Sequence, residues 1–101
     1  MFERVMGLNI VDDQAYEKYR RGMKPILNSY GADFGYDFIV SKVLISKAKE
    51  KINRVFTIEF PSRKTMEEFF ADPNYLKVKT AFLDRSIDGK TLISIHEKDL
   101  E

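Results

Sequence analysis

The stretch RVFTIEFPSRKTMEEFFADPNY, Arg54 to Tyr75, decides how the chain folds. Its first seven residues alternate as a strand does, with Phe56, Ile58 and Phe60 on one side and Val55, Thr57 and Glu59 on the other. Pro61 has no N–H to give a ladder and ends the strand, and Ser62 offers a hydroxyl to cap a helix. Met66, Phe69 and Phe70 fall at helical spacing and form that helix's buried side. Asp72 and Pro73 restart the chain as N-cap and first helical residue, with Tyr75, Leu76, Val78, Phe82 and Leu83 as the apolar positions. One carboxylate, Glu59, interrupts an otherwise apolar strand.

Upstream, Arg4 to Val11 alternate as a first strand, with Met6, Leu8 and Ile10 on one face and Val5, Gly7 and Asn9 on the other. Asp12 and Asp13 can accept the orphan N–H groups of a first helical turn. The helix that follows carries Tyr16, Tyr19, Met23, Ile26, Leu27 and Tyr30 as one stripe and ends at Gly31. Pro25 predicts a kink or break near Gly22 to Lys24, because it removes a hydrogen bond and crowds the preceding turn. Phe34 to Ile45 is extended again, SKAKEKIN (Ser46 to Asn53) is a polar hairpin connection, and the third strand runs from Ile52 to Phe60. Downstream, Asp88 and Gly89 make a turn before a last strand from Thr91 to Glu97. The order β-α-β-β-α-β predicts an α+β, ferredoxin-like domain over residues 1–101, with a four-stranded antiparallel sheet and two helices on one face.

Composition narrows the function classes. A chain of 101 residues buries only somewhat more than about 60% of its unfolded surface, and eight Phe and five Tyr within 44% hydrophobic content favour self-association. Seventeen basic against sixteen acidic residues leave a net charge of +1, far from the concentrated positive field that nucleic acid selects. Absence of cysteine removes disulfides, thiol nucleophiles and thiolate metal sites. With no long apolar run, and with Glu3 and Arg4 where a leader needs its apolar segment, the expectation is a cytoplasmic protein without a membrane partner.

The alternation implies a sheet with two unlike faces. Met6, Leu8, Ile10, Phe34, Phe38, Phe56, Ile58, Phe60, Ile93 and Ile95 are expected beneath the helices. Val5, Gly7, Asn9, Asp37, Ile39, Val55, Thr57, Glu59, Leu92, Ser94 and His96 are expected on the other face, which is mixed and needs a cover. RNA is the poorest cover, since Val55, Thr57 and Glu59 give bases nothing to stack on and Glu59 repels phosphate.

The Asp12-Asp13-Gln14-Ala15-Tyr16-Glu17-Lys18-Tyr19-Arg20 helix start, the Ile58-Glu59-Phe60-Pro61-Ser62 strand exit and the D-P-x-Y of Asp72, Pro73 and Tyr75 together resemble the family known as domain of unknown function 1330, over nearly the whole chain. That resemblance implies a dimeric α+β barrel, in which two ferredoxin-like sheets pack open face to open face, so that the partner is a second copy. It is similar in fold to cofactor-independent monooxygenases and small isomerases, and it carries over no catalytic residue. Without tryptophan, and with its only histidine on the last strand, the chain departs from the haem-degrading relatives, and no cofactor is expected.

Several residues carry both a chemical and a structural reading. With the third strand taken as parallel to the first, Glu59 lies level with Asn9; the pair would serve either as a base and an orienting amide of an enzyme, or as an ion-paired register lock. His96 then falls at the opposite edge of the sheet, as a surface or interface residue, and no second ligand at metal spacing accompanies it. Tyr16, Tyr19 and Arg20 can line a small-molecule cleft between helix and sheet, or be core residues with polar tips; Tyr36, Asp37 and Tyr75 stand in the same balance. Two function classes follow: a homodimeric small-molecule-binding or structural module, and a cofactor-independent enzyme using Glu59 as its base.

Overall fold

Stops and caps written into the sequence set the element boundaries. The computed structural model describes residues 1–99, and the last two residues of the expected 1–101 domain lie outside them. Strand β1 (Phe2–Ile10) leads into α1 (Asp13–Ser29), β2 (Asp33–Ile39), β3 (Arg54–Phe60), α2 (Arg63–Ala71) and α3 (Pro73–Val78). A π-helical turn over Lys79–Leu83 and a last turn, α4 (Asp84–Ser86), carry the chain into β4 (Ile87–Glu97). Asp12 caps α1 through Ala15 N at 3.1 Å, and Ser62 caps α2 through Thr65 N at 3.1 Å. Asp72 caps α3 by accepting from Asn74 N at 2.7 Å, while its other oxygen accepts from the Tyr30 hydroxyl at 2.6 Å. At the end of α1, Gly31 N donates to Asn28 O and Ala32 N to Leu27 O, a Schellman closure that the positive φ of Gly31 allows.

Helix α1 runs unbroken through Pro25. The expected break is absent because Pro25 forfeits a single N–H bond, while Met23 and Leu27 on either side are fully buried and hold the helix against the sheet. Gly22 lets α3 approach closely: a Cβ there would meet Val78 Cγ1 at 2.9 Å.

The sheet has the order β2-β3-β1-β4 with every neighbouring pair antiparallel, an α+β ferredoxin-like arrangement. Strand β3 is therefore antiparallel to β1, not parallel. The helical crossover makes β2 parallel to β1, and the return from β2 reverses β3, so β3 runs against both. Phe2 stands opposite Phe60 and Leu8 opposite Arg54.

The core lies between the sheet and the helices: Phe2, Met6, Leu8, Ile10, Phe56, Ile58 and Phe60 from the strands meet Tyr16, Tyr19, Met23, Leu27, Met66, Phe69, Tyr75 and Leu83. Two irregularities change the expected faces. Between Phe34 and Asp37 the β2 register shifts by a bulge at Gly35 and Tyr36, where a Cβ on Gly35 would meet Thr57 Oγ1 at 2.6 Å. Phe38, expected inside, is thereby turned outward, 55% exposed and stacked on Tyr36, while Asp37 and Ile39 turn toward α1. A second shift in β4 leaves Ile93, also expected inside, 49% exposed beside Leu92. Residues 40–53, expected partly as strand, form an irregular segment over the open face, with Val43, Leu44 and Ile45 exposed. Asp88 and Gly89 lie within β4 rather than before it, and the chain turns instead at Ser86, whose carbonyl accepts from Val11 N and Asp12 N.

Candidate functional site

Three polar constellations stand against this frame. The first lies on the open face at the start of β1. Glu3, opposite both Glu59 and His96 in register, is 8% exposed. Lys98 Nζ donates to Glu59 Oε2 at 2.7 Å and to Glu3 Oε2 at 3.1 Å, and these bonds raise the Lys98 pKa. His96 Nε2 lies 2.9 Å from Glu3 Oε1, and His96 Nδ1 lies 2.6 Å from Ser94 Oγ. The Ser94–His96–Glu3 line can pass a proton, but its carboxylate and Glu59 are both bound by Lys98.

This overturns the expected partnership of Glu59 with Asn9. In an antiparallel pair Glu59 returns to the start of β1, whereas Asn9 sits at its far end, where its Oδ1 accepts from Asn53 Nδ2 at 3.3 Å. Asn53 is itself engaged by the backbone of Ile10 through two 2.8 Å bonds. His96, expected at the edge away from Glu59, belongs to the same cluster as Glu59. The reason is topological: a hairpin after a crossover forces that reversal.

The second constellation gathers Tyr16, Arg20 and Asp37, three of the six residues weighed for a ligand cleft. Arg20 Nε donates to Tyr16 Oη at 2.8 Å and its Nη2 lies 3.3 Å from Asp37 Oδ2, in ion-pair range but without hydrogen-bond alignment. Arg54 grips Asp37 with two bonds, Nε to Oδ1 at 2.8 Å and Nη2 to Oδ2 at 2.9 Å. The Arg20 guanidinium also lies 3.8 Å over the Phe34 ring. Partial burial acts to raise the Asp37 pKa, but the Arg54 bonds and the Arg20 charge outweigh it and hold the carboxyl below its usual range. Charges here answer one another, so the cluster reads as a clamp between α1 and the bulged β2.

Tyr19 turns to another place, with Tyr75. Its hydroxyl lies 2.9 Å from that of Tyr75, and both phenols are at most 5% exposed. They border a cavity of about 250 Å³ between the sheet and the helical layer, walled by Met6, Leu8, Phe56, Ile58, Phe70 and Leu83. Arg4 reaches into the same cavity from β1, flanked in register by Ile58 and Ile95. Its Nε donates to the soft sulfur of Met6 at 3.4 Å and its guanidinium lies 4.4 Å from the Phe70 ring. Among the described residues no carboxylate stands within ion-pair range of it. Burial lowers the Arg4 pKa, with the Tyr75 and Tyr19 phenols acting the other way. Burial likewise raises the pKa of both tyrosines, Tyr19 well above its usual value, so the phenols stay protonated.

The sheet order and the helices on one face define a ferredoxin-like α+β protein. More closely, the chain belongs to the family described as domain of unknown function DUF1330, whose model matches residues 4–93. Among solved structures, it is similar to a protein of unknown function from Rhodopseudomonas palustris, with 20% identity and a TM-score of 0.78 over 91% of this chain and 78% of that one. It is similar also to an uncharacterized NIPSNAP domain protein from Burkholderia xenovorans, with 12% identity and a TM-score of 0.68 over 98% and 95% of the two chains. A third likeness, at 11% identity and a TM-score of 0.54 over 96% and 95%, is to a Bacteroides fragilis protein of unknown function described as dimeric and of ferredoxin-like fold. No curated protein matches the chain. Among the described residues no helix is long and apolar enough to cross a membrane, and no three His, Cys, Asp or Glu side chains are grouped to hold a metal ion.

Proposed function

We propose that the protein is a cytoplasmic homodimer that binds a small molecule in each subunit, in the cavity between sheet and helices. The observation that carries the binding function is that cavity itself: about 250 Å³, mostly apolar in its walls, with Arg4 and two phenols converging on it. Such a site, concave and apolar with a few polar groups, is the usual form of a small-ligand pocket, here somewhat below the common size range of about 300–1,000 Å³. Self-association is supported by the open face, where Phe38, Leu92 and Ile93 are about half exposed beside Val43, Leu44 and Ile45, and by the dimeric description of the Bacteroides protein. A second copy placed on that face would cover them and leave the helix-side cavity free. The rival enzyme, with Glu59 as base, loses support because Lys98 occupies its carboxylate and Asn9 lies at the other end of the strand.

Two measurements test this. Sedimentation equilibrium at micromolar concentration is expected to give twice the chain mass, and a monomer would contradict the assembly. A thermal-shift screen of small metabolites is expected to find compounds that raise the melting temperature, since a ligand favouring the native state stabilises it by mass action. If every compound leaves it unmoved, the cavity is only a packing gap.

A further inference from the structure

We infer that the ligand of this cavity is a small apolar molecule ending in one carboxylate, which Arg4 grips through its guanidinium and which the Tyr19–Tyr75 pair assists with a hydroxyl. The inference rests on the binding function proposed above and adds the ligand's charge and the residues that read it.

Three observations carry it. Charge balance comes first: the walls of the cavity hold Arg4, Lys79 and Lys90 but no Asp or Glu. Lys79 is answered from outside by Asp84 at 3.0 Å, which leaves Arg4 within and Lys90 at the exposed mouth. A guanidinium is always charged, and placing it in an apolar wall costs free energy unless an anion answers it. Arg4 is half-buried and its two Nη atoms still touch solvent, so the cost is partial; its protein partners, a thioether and an aromatic face, answer the charge only weakly. Position comes second. Arg4 has the same strand parity as Phe2, Met6, Leu8 and Ile10, all buried, so the chain holds a cation in a row otherwise kept apolar. Donor count comes third: two phenols joined by one hydrogen bond use one O–H between them, so the second is left for an outside acceptor. A guanidinium fork with one adjoining hydroxyl suits a planar carboxylate bound by two parallel bonds. The more highly charged phosphate would call for more donors than this wall offers.

Size agrees. At about 30 Å³ per water the cavity equals about eight waters, room for a six-carbon or ring acid rather than a nucleotide. One wall is the π-helical turn Lys79–Leu83, a conformation found often at functional sites.

The test compares acids with their own amides. Benzoate, cyclohexanecarboxylate and hexanoate, each beside its primary amide, are titrated into the full-length protein while the Met6 methyl and Tyr75 ring signals are followed by NMR. At least one acid is expected to shift both signals, binding about tenfold or more tightly than its amide, a preference that Arg4→Met abolishes and Arg4→Lys keeps in part. If amides bind as well as acids, the pocket stands and the anion assignment falls. If neither kind moves Met6 or Tyr75, the binding function falls with it. An acid preference that survives Arg4→Met would transfer the role to Lys90 and overturn the assignment to Arg4. Should Arg4→Met fail to fold, the acid and amide comparison on the unaltered protein decides alone.

Discussion

Arg4 and Lys98 lie on opposite faces of one sheet, and the contrast between them separates structure from function. Lys98 is answered twice, by Glu3 at 3.1 Å and Glu59 at 2.7 Å, and these bonds join the end of β4 to β1 and β3. Arg4 sits one residue along β1 from Glu3, turned to the other face, and its neighbours within the protein offer it only a sulfur and a ring. Charge that the chain itself neutralises holds the fold together, while charge left over in a cavity is available to a ligand. By that measure Glu59, the conspicuous carboxylate, is a fastening, and the inconspicuous Arg4 marks the site.

The largest effect expected is behind the wall of the cavity, in the residue that backs Phe70 and Tyr75. Phe69 is fully buried, packed against Phe70 at 5.0 Å and Tyr75 at 4.5 Å between ring centres. Phe69→Ala should cost about 3–5 kcal/mol in denaturant unfolding, and Tyr75 should lose its backing and the cavity its shape. The open-face network should survive that change, which the Lys98 and His96 NMR signals would show.

A paired substitution sharpens the comparison directly. Lys98→Met strands two facing carboxylates, so its melting temperature should fall. Arg4→Met exchanges an unanswered cation for a side chain of similar volume in an apolar row, so stability should stay level or rise by up to about 1 kcal/mol. Equal losses from both would erase the distinction drawn here.

The smallest effect concerns the Asp37 clamp, a third region in which charges are mutually satisfied. Its carboxyl is held below the ordinary value of about 3.9, so the clamp adds stability above that pH and loses it as pH falls through the depressed native value. Thermal melts between pH 7 and pH 3 should show an acid-side decline that is shallower in Asp37→Asn.

Local chemistry was legible in the sequence; long-range geometry less so. Asp12, Ser62, Asp72 and Gly31 do what their side chains and backbone freedom dictate, because capping depends on neighbours within a few residues. Strand faces were read correctly where alternation is unbroken, as at Met6, Leu8, Phe56 and Ile58. They failed at Phe38 and Ile93, since a bulge adds a residue to one strand and reverses the parity beyond it without leaving a distinct sequence mark. The pairing of Glu59 with Asn9 failed for a reason available in advance, the reversal imposed by a hairpin after a crossover. Tyr16, Arg20 and Asp37, weighed as cleft residues, meet around Arg54, and Tyr16, Arg20 and Arg54 also line an open pocket beside α1 and Ile39. Arg4 carries its own signal in the sequence, since an arginine with the parity of Met6 and Leu8 faces the helix side of the sheet.

The central claim is that the unanswered charge, and not the answered one, meets the ligand. Its most direct measurement is the Nε–H resonance of Arg4 together with the ring signals of His96 during titration with the tightest-binding acid. The Arg4 resonance is predicted to move with saturation while His96 stays still. Movement of His96 with Arg4 unmoved would place binding on the open face and contradict the account.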